Sequence, residues 1–518
     1  MASGIFVFDE IFGVWFFKKQ EFCHTEPLAK YPLAKPRFTI KKNTQAMKTF
    51  SLKQKFSSPN SALLNSTISV NLPNFLSFCL NSLLKSAPKT QIYATISLLN
   101  FAHKRTKMIS IQLIEHIFKA ASISRWNDYP RMANLVELDK QAHKFIIAYF
   151  IAKMEKNVNM RAIIEGGIFE FLSRVVVTDI RPDVYHEIVR AKKDEVNSWV
   201  LSKVEPMVES IDEGRFLKRF ERYLTGGEFE KERLILRAAS YFATRWEFHI
   251  VYQTSKFLAD IDEIKAKVEE ELEDYYELIG ARKIALNQKI AKIVDLSGRL
   301  RFQKRWAQTP RIPETAVLGH MLVVAILSYF YSLQIKACDK RLENNFFCAL
   351  FHDLPESLTR DIISPVKYGI DGLHELIGEY EMKLINDKIL PFVPSDFRDE
   401  FAYILGIRKE QGENGGYVKN EFENRTFRNR QAGLCSGSLS AFNENEDGAI
   451  DGKALKYCDK FAAFVEAGLS ISYGVKSKEL ESGFWGMFDF FEQNKTIDGV
   501  NFFALCGALI SEFKLSKP

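Results

Sequence analysis

The apolar residues of this chain recur mainly at helical spacing. Three segments, Lys140–Lys153, His320–Gln334 and Lys453–Ser470, carry apolar side chains at positions i, i+3, i+4 and i+7, which lie on one face of a helix. The first clean amphipathic segment of this kind begins at Met108. The alternation of apolar and polar residues that indicates a half-buried strand is almost absent. The pattern therefore predicts an all-α protein.

The predicted helices repeat. RWNDYPRMANLVELDKQAHKFIIAYFIA, from Arg125, aligns without gaps with RWAQTPRIPETAVLGHMLVVAILSYFYS, from Arg305. Two further segment pairs follow in the same order: EGGIFEFLSRVVVTDIRPDVY with FHDLPESLTRDIISPVKY, and LILRAASYFATRWEF with KALKYCDKFAAFVEA. Three ordered blocks, about 180 residues apart, predict two copies of one helical domain in tandem.

These blocks divide the chain of 518 residues, which is long enough for more than one domain. We expect an N-terminal extension at 1–107, a degenerate first copy at 108–255, a charged helical connector at 256–295 and an intact second copy at 296–518. Fusing two copies of a domain on one chain also favours an internal pseudo-dimer, because the connector keeps the copies at a high effective concentration. Further oligomerisation stays open.

The extension at 1–107 differs sharply in charge from the rest of the chain. It holds 15 Lys and Arg residues against four acidic residues, a balance of +11, whereas the remainder is at −5. An organelle transit peptide and a nucleic-acid-binding arm are both compatible with a basic, Ser-rich segment. The lysines are not clustered, however, and the segment lacks periodicity. We therefore expect a poorly ordered extension with no folded role, and we do not expect nucleic acid as a partner.

One interruption divides the second copy. Residues 409–451 contain six glycines with Asn and Ser between them and no apolar stripe, which predicts a long, flexible surface loop. Its basic residues offer an alternative role as a lid over an anionic substrate; they are Arg425, Arg428 and Arg430.

The composition, 46% hydrophobic and 26% charged, is typical of a folded soluble protein. The longest apolar run, Met321–Ser332, has about 12 residues and is shorter than the roughly 20 that span a membrane, so we expect no membrane association. The seven cysteines form no CxxC pair. This argues against a zinc ribbon or a disulfide framework and predicts a reducing, cytoplasmic location.

Candidate chemistry lies in the second copy, where His320, His352, Asp353 and Asp459 form an ordered series. His320 and Asp459 fall on apolar faces of predicted helices, and a buried charge must be paired or bind a metal. Taken alone, His320 could be an ordinary core histidine. Two imidazoles with two carboxylates suit one divalent ion, and manganese, cobalt, nickel, iron and zinc are all chemically acceptable.

The residues around this series resemble the HD-superfamily metal-dependent phosphohydrolases, and most closely the all-helical bacterial 5′-deoxynucleotidase branch. The combination of RW, HDxxExLTxD and PVK is far more specific than an HD dipeptide. It covers about 296–405 and 453–470 and, in weaker form, the first copy. The segments that carry it are LSGRLRFQKRW (Leu296–Trp306), FHDLPESLTRDIISPVKY (Phe351–Tyr368), EYEMKLINDKILPFVPSDFRDEF (Glu379–Phe401) and KYCDKFAAFVEA (Lys456–Ala467).

The resemblance implies roles for particular residues. The four residues of the series would hold the metal. Glu356 would act as base or orienting group for the attacking water, and Asp361 is a second catalytic candidate in the same pocket. The implied substrate contacts are Arg305 at the phosphate, Trp306 beside the sugar, Thr359 in the pocket wall and, as a weaker candidate, Lys367.

The chain also departs from the family pattern. Family members often carry Glu directly before the first ligand His, where this chain has Gly319. The first copy retains Arg125, Trp126 and Glu170 but has lost every ligand, so we expect it to be inactive. The residues that replace the ligands there are Lys140, Gly166, Gly167 and Ser240.

The function favoured by the resemblance is a 5′-nucleotidase that releases phosphate from (deoxy)nucleoside 5′-monophosphates, with a small-molecule nucleotide as its partner. One alternative is an HD phosphohydrolase or phosphodiesterase acting on another phosphorylated substrate. A regulatory protein that binds nucleotides without turnover is a third hypothesis. The complete ligand series favours an enzyme over the third.

Because residues 1–107 carry no part of the motif and no periodic pattern, a chain that begins at Met108 should fold with the thermal stability and activity of the full chain. Thermal unfolding and phosphate release compare the two. Insolubility or loss of activity on truncation would show that the extension has a structural role.

Overall fold

The structure, a computed structural model, describes residues 108–360, 370–409 and 417–516 and four short strands nearer the N-terminus. The chain divides into two compact units, residues 1–95 and 96–518. In the first, β1 (Ile5–Phe8) pairs antiparallel with β2 (Trp15–Lys18), and β3 (Phe50–Ser51) with β4 (Thr67–Ile68).

The second unit is predominantly helical, which confirms the predicted fold class. Its α-helices are α1 (Ile111–Lys119), α2 (Glu137–Met154), α3 (Met160–Val177), α4 (Pro182–Val208), α5 (Arg215–Thr225), α6 (Glu230–Ser255), α7 (Ile261–Glu270), α8 (Ile279–Ala285), α9 (Lys289–Arg299), α10 (Val317–Gln334), α11 (Asp339–Phe351), α12 (Glu356–Thr359), α13 (Leu373–Lys388), α14 (Arg398–Ile404), α15 (Gly452–Ser472), α16 (Lys478–Gln493) and α17 (Phe502–Glu512). Short 3₁₀ turns lie at Ile211–Gly214, Glu271–Tyr275, Leu300–Phe302, Leu390–Phe392, Ser395–Phe397 and Asn445–Asp447.

Helices α2 and α10 form the centre of the hydrophobic core. They pack on each other, α2 also packs on α6, and α10 packs on α11 and α15. Within the described part of the chain, α10 is the one helix long and apolar enough to cross a membrane by length and composition, and 94% of it is buried inside the protein. A helix that is apolar all round must be covered on every side, and here the neighbouring helices cover it.

The same turn precedes both central helices. Trp126 and Trp306 adopt left-handed backbone conformations with φ of 55° and 57°. Such values are uncommon outside glycine. Around each tryptophan, an isolated antiparallel bridge closes the turn by joining the residue two positions before the tryptophan to the residue just before the helix. The two bridges join Ser124 to Val136 and Lys304 to Ala316.

Contacts between the central helices and their neighbours are also reciprocal. In the sequence alignment Tyr149 corresponds to Tyr329, and Phe351 corresponds to Glu165. The Tyr149 ring packs edge-on against Phe351, with centroids 5.1 Å apart. The Tyr329 hydroxyl, in the corresponding place, donates a hydrogen bond of 2.9 Å to Glu165 Oε1. Helix α2 therefore contacts the end of α11, and α10 contacts α3. In the sequence alignment α2 corresponds to α10, and α3 contains the segment that matches the end of α11.

The segment predicted as a connector, 256–295, is helical, as its charged pattern suggests. It contains α7, a 3₁₀ turn, α8 and most of α9. Helices α8 and α9 pack against α2. Residues 96–518 therefore form one compact unit with a single core. This core is shared by the first half, residues 108–255, and the second half, residues 296–518.

The insertion at 409–451 is folded, so the predicted long, flexible loop is wrong for its described residues. Strand β5 (Ile407–Lys409) pairs antiparallel with β6 (Tyr417–Lys419), and β7 (Asn424–Arg428) lies between β8 (Gln431–Leu434) and β9 (Ile450–Asp451). Another short pair, β10 (Thr496–Ile497) and β11 (Val500–Asn501), precedes α17. Residues 410–416 lie outside the described residues.

Polar networks bind the insertion to α11. Arg341 of α11 makes a bidentate ion pair with Asp451, at 2.6 and 2.8 Å. Asn345, one turn further along, exchanges two hydrogen bonds of 2.8 Å with the same residue. Buried Arg425 donates to five acceptors, among them Cys348 Sγ at 3.0 Å. These polar contacts hold the insertion against α11. Because the contacting residues are polar, they produce no apolar periodicity in the sequence.

The two corresponding tyrosines offer a matched test of the shared core. Tyr329→Phe removes a hydrogen bond to a carboxylate and should lower the free energy of unfolding by about 1.5–3 kcal/mol. Tyr149→Phe should leave stability unchanged or raise it, because the buried Tyr149 hydroxyl has no hydrogen-bond partner among the described residues. Chemical denaturation measures both, and equal effects would contradict the assigned contacts.

Candidate metal centre

Three ligand-type side chains converge in the second half of the chain. His320 lies on α10, His352 directly follows α11, and Asp459 lies on α15. One potential ligand atom from each lies within 4.8 Å of the other two. This group brings together three of the four residues of the predicted series, from segments up to 139 residues apart. Two imidazole nitrogens and a carboxylate oxygen match the donors preferred by divalent transition metals.

His320 is fully buried, and both of its ring nitrogens face a carboxylate. Nε2 lies 2.9 Å from Asp459 Oδ1, and Nδ1 lies 3.2 Å from Glu466 Oε1. A carboxylate on the second nitrogen fixes the orientation of a metal-binding histidine. No motif in the sequence assigns a role to Glu466, although it lies seven residues after Asp459 and therefore on the same face of α15.

His352 and Asp353 approach the cluster from the end of α11. His352 Nδ1 lies 2.7 Å from the carbonyl oxygen of Ala349, so this nitrogen is the donor, and in the neutral imidazole Nε2 carries the free lone pair. The buried Nε2 has no well-oriented hydrogen bond in the described residues, although Asp353 Oδ2 lies 3.2 Å away and Asp459 Oδ1 3.9 Å away. Such an atom fits a metal ligand. Asp353 adjoins the cluster but is not one of its three members.

The electrostatics of the cluster favour positive charge. Burial opposes ionisation of every group, but Asp353 and Asp459 outweigh it at His352 and raise the pKa of that imidazole to about 9. Burial also raises the pKa of Asp353 and Asp459, but the histidines and the charge of Arg305 outweigh it and lower the pKa of both aspartates. Both carboxylates therefore remain ionised near neutral pH and are available to a cation.

Arg305 and Trp306 lie beside the cluster in the turn before α10. The effect of Arg305 on the two aspartates places its guanidinium within electrostatic reach of them. Trp306 Nε1 donates a hydrogen bond of 3.1 Å to Glu466 Oε2. Its ring also packs on Gly483 of α16, where a Cβ atom would approach Trp306 to within 2.8 Å. The indole is therefore held at both its polar and its apolar edge.

The other predicted site residues follow the HD dipeptide. Buried Glu356 opens α12, and its backbone N–H donates to the carbonyl oxygen of Asp353 at 3.0 Å. Thr359 closes the same helix, and its hydroxyl is buried with no hydrogen-bond partner among the described residues. Asp361 and Lys367 lie outside the described residues, so their assigned roles stay predictions.

The corresponding place in the first half contains no such ligands. Lys140 Nζ donates a hydrogen bond of 2.6 Å to Ser240 Oγ, where the second half has His320 and Asp459. Burial lowers the pKa of Lys140 to about 7, against the opposing effect of Glu137. Glu247 corresponds to Glu466 and likewise accepts from a tryptophan, with its Oε2 3.1 Å from Trp126 Nε1.

Two glycines in the first half leave no room for a ligand side chain. A Cβ atom on Gly166 would lie 2.9 Å from the Tyr223 ring, and one on Gly167 would collide with the Phe145 ring. The Tyr223 hydroxyl in turn donates to Glu170 Oε1 at 2.5 Å, and the Lys144 ammonium pairs with the same carboxylate. The space that corresponds to His352 and Asp353 is therefore filled by packed rings.

Gly319, the departure from the family pattern noted above, also has a steric cause. A Cβ atom at Gly319 would lie 2.7 Å from Asp139 Oδ1, at the contact between α10 and α2. Asp139 corresponds to Gly319 in the alignment, so an acidic residue on one helix faces a glycine on the other. A glutamate at 319 would meet this buried carboxylate directly.

Comparison with known proteins agrees with the resemblance inferred from the motifs. Residues 297–487 match the family described as "HD domain". A segment of this chain is 27% identical over 110 residues to a 5′-deoxynucleotidase of Vibrio atlanticus (strain LGP32), covering 21% of this chain and 56% of that protein. The chain thus spans about half the length of that relative. The predicted resemblance to the HD superfamily is confirmed.

Metal content tests the centre directly. His320→Ala with Asp459→Ala removes two of the three converging side chains and should abolish binding of a divalent ion. Lys140→Ala with Ser240→Ala changes the corresponding positions of the first half and should leave about one ion per chain. Elemental analysis after dialysis measures both. An ion retained by the first variant, or lost from the second, would contradict the assignment.

Proposed function

We propose that this chain is a metal-dependent phosphohydrolase that releases phosphate from nucleoside 5′-monophosphates, with deoxynucleotides preferred. The convergence of His320, His352 and Asp459 beside the guanidinium of Arg305 carries this proposal. A divalent cation and an arginine together suit a phosphate dianion. The 5′-deoxynucleotidase of V. atlanticus supports the choice of substrate class.

The residues proposed to hold the ion are His320, His352, Asp353 and Asp459. A divalent ion bound there would act as a Lewis acid towards the phosphate and lower the pKa of water to about 7. Manganese, cobalt, nickel, iron and zinc all remain acceptable, because each accepts nitrogen and oxygen donors.

The protein side chains would perform the remaining steps. Arg305 would bind the phosphate through paired N–H groups. Glu356 would orient the attacking water and accept its proton, a role suited to a buried carboxylate at the edge of the site. The Trp306 indole, held by Glu466 and Gly483, would pack beside the sugar and discriminate at its 2′ position. Thr359, Asp361 and Lys367 are proposed to line the same pocket.

We also propose that the two halves of residues 108–518 arose by tandem duplication and pair as an internal pseudo-dimer. The recurring turn at Trp126 and Trp306 and the reciprocal contacts of Tyr149 and Tyr329 support this pairing. A self-complementary interface is the usual form of two-fold association. In this arrangement the first half acts as a permanent structural partner.

The proposed location is the cytoplasm. The free cysteines among the described residues and the burial of α10 inside the protein are compatible with it.

A phosphate-release screen tests the proposed reaction. The metal-loaded full chain should hydrolyse deoxynucleoside 5′-monophosphates faster than their ribose counterparts, 3′-monophosphates and cyclic nucleotides. A clear preference for a cyclic nucleotide or a triphosphate would replace the proposed substrate. Nucleotide binding without phosphate release under any divalent metal would favour a regulatory protein.

Glu356 offers a sharper test of the mechanism. Glu356→Gln keeps the shape of the side chain but cannot accept a proton, so turnover should fall by roughly 10²-fold or more. Metal content and thermal stability should stay unchanged, and both serve as controls. Near-normal turnover in the folded variant would remove Glu356 from the mechanism.

A further inference from the structure

Strand β6 of the insertion ends beside the HD dipeptide. Its last residue, Lys419, extends its side chain to His352, where Nζ donates to the carbonyl oxygen at 3.3 Å. Only 11% of the Lys419 side chain is exposed. A lysine is almost never this deeply buried without a specific partner.

The surroundings of Lys419 are acidic and include a proposed metal ligand. Its ammonium forms an ion pair of 2.9 Å with Glu421. Glu381 of α13 and Asp353 also interact electrostatically with it. The interaction with Asp353 places this positive charge within electrostatic reach of a proposed metal ligand.

The three arginines of the insertion have other partners among the described residues, which does not support the alternative of an arginine lid. Arg425 is buried against backbone carbonyls and Cys348. Arg428 pairs with Asp447 through Nε at 2.8 Å, and Arg430 lies 3.5 Å from the carbonyl oxygen of Asp396. Lys419, by contrast, contacts the backbone of the HD dipeptide.

We propose that Lys419 is a phosphate-binding residue that the insertion contributes to the active site. An ammonium has three protons to donate. His352 and Glu421 accept two of them, and the third remains for an oxygen of the substrate phosphate. The proposal rests on the function proposed above. A phosphomonoester carries close to two negative charges near neutral pH, and Arg305 with Lys419 supplies two positive charges from separate segments of the domain.

This assignment gives the insertion a physical role. The networks of Arg425 and of Asp451 with Arg341 fix β7 and β9 on α11, the helix that leads into His352. The β5–β6 pair precedes this fixed sheet, and β6 also contacts α13. Strand β6, which carries Lys419, is itself held by its pairing with β5 and by its contact with α13.

Calorimetric binding of inorganic phosphate to the manganese-loaded full chain tests the proposal without turnover. Lys419→Met should weaken the phosphate Kd about tenfold, equivalent to roughly 1.4 kcal/mol, with metal content unchanged. Lys419→Arg keeps the charge and should stay within about threefold of the natural chain. Lys453→Met, an exposed lysine bound to the Ser436 carbonyl, serves as the control and should bind phosphate normally.

Several outcomes would overturn the proposal. These are an unchanged phosphate Kd in Lys419→Met, the same loss in the Lys453→Met control, or a loss that accompanies release of the metal. If Lys419→Met fails to fold, Lys419→Gln removes the charge while keeping donor groups and decides by the same measurement. A natural chain that binds phosphate through Lys419 but hydrolyses no nucleotide would overturn the proposed function and leave this inference standing.

Discussion

The buried imidazole of His320 is the constraint on which the architecture of the second half depends. A buried polar ring needs partners for both nitrogens, since leaving one unsatisfied costs about 1–3 kcal/mol. Asp459 and Glu466 supply them from one face of α15, which fixes this helix against α10. Glu466 also accepts from Trp306 and Thr315, so the same carboxylate holds the turn that carries Arg305. Orienting His320 thus positions α15 and the turn that carries Arg305 together.

The first half has the corresponding glutamate and tryptophan contact but different side chains at the ligand positions. Glu247 accepts from Trp126 and Arg125, as Glu466 accepts from Trp306, but Lys140 and Ser240 stand where His320 and Asp459 stand in the second half. Lys140 Nζ donates directly to Ser240 Oγ, so these two side chains satisfy each other. The packed rings of Tyr223 and Phe145 fill the remaining space. Under the proposed duplication, packing between the halves is retained while one metal centre is lost.

The sequence predicts what depends on local spacing and misses what depends on distant partners. The helix over Lys140–Lys153 follows from its 3.6-residue period, and α2 contains it. The HD series is recognisable because its residues are chemically unusual on apolar helices. The glycine-rich pattern of the insertion wrongly predicts a flexible loop. Its buried groups are polar, and their partners are distant in the sequence: Arg341 lies 110 residues from Asp451. Glu466 was missed for a related reason: a glutamate in a helix is ordinary until His320 faces it.

The location of a bound metal tests whether the metal centre lies in the second half alone while the first half is a structural partner. Crystals grown with manganese or cobalt, measured at the absorption edge of that metal, reveal each ion by its anomalous scattering. We expect one strong peak per chain among His320, His352 and Asp459, and none beside Lys140 and Ser240. A peak in the first half, or a metal-loaded chain with no peak at His320, would contradict it.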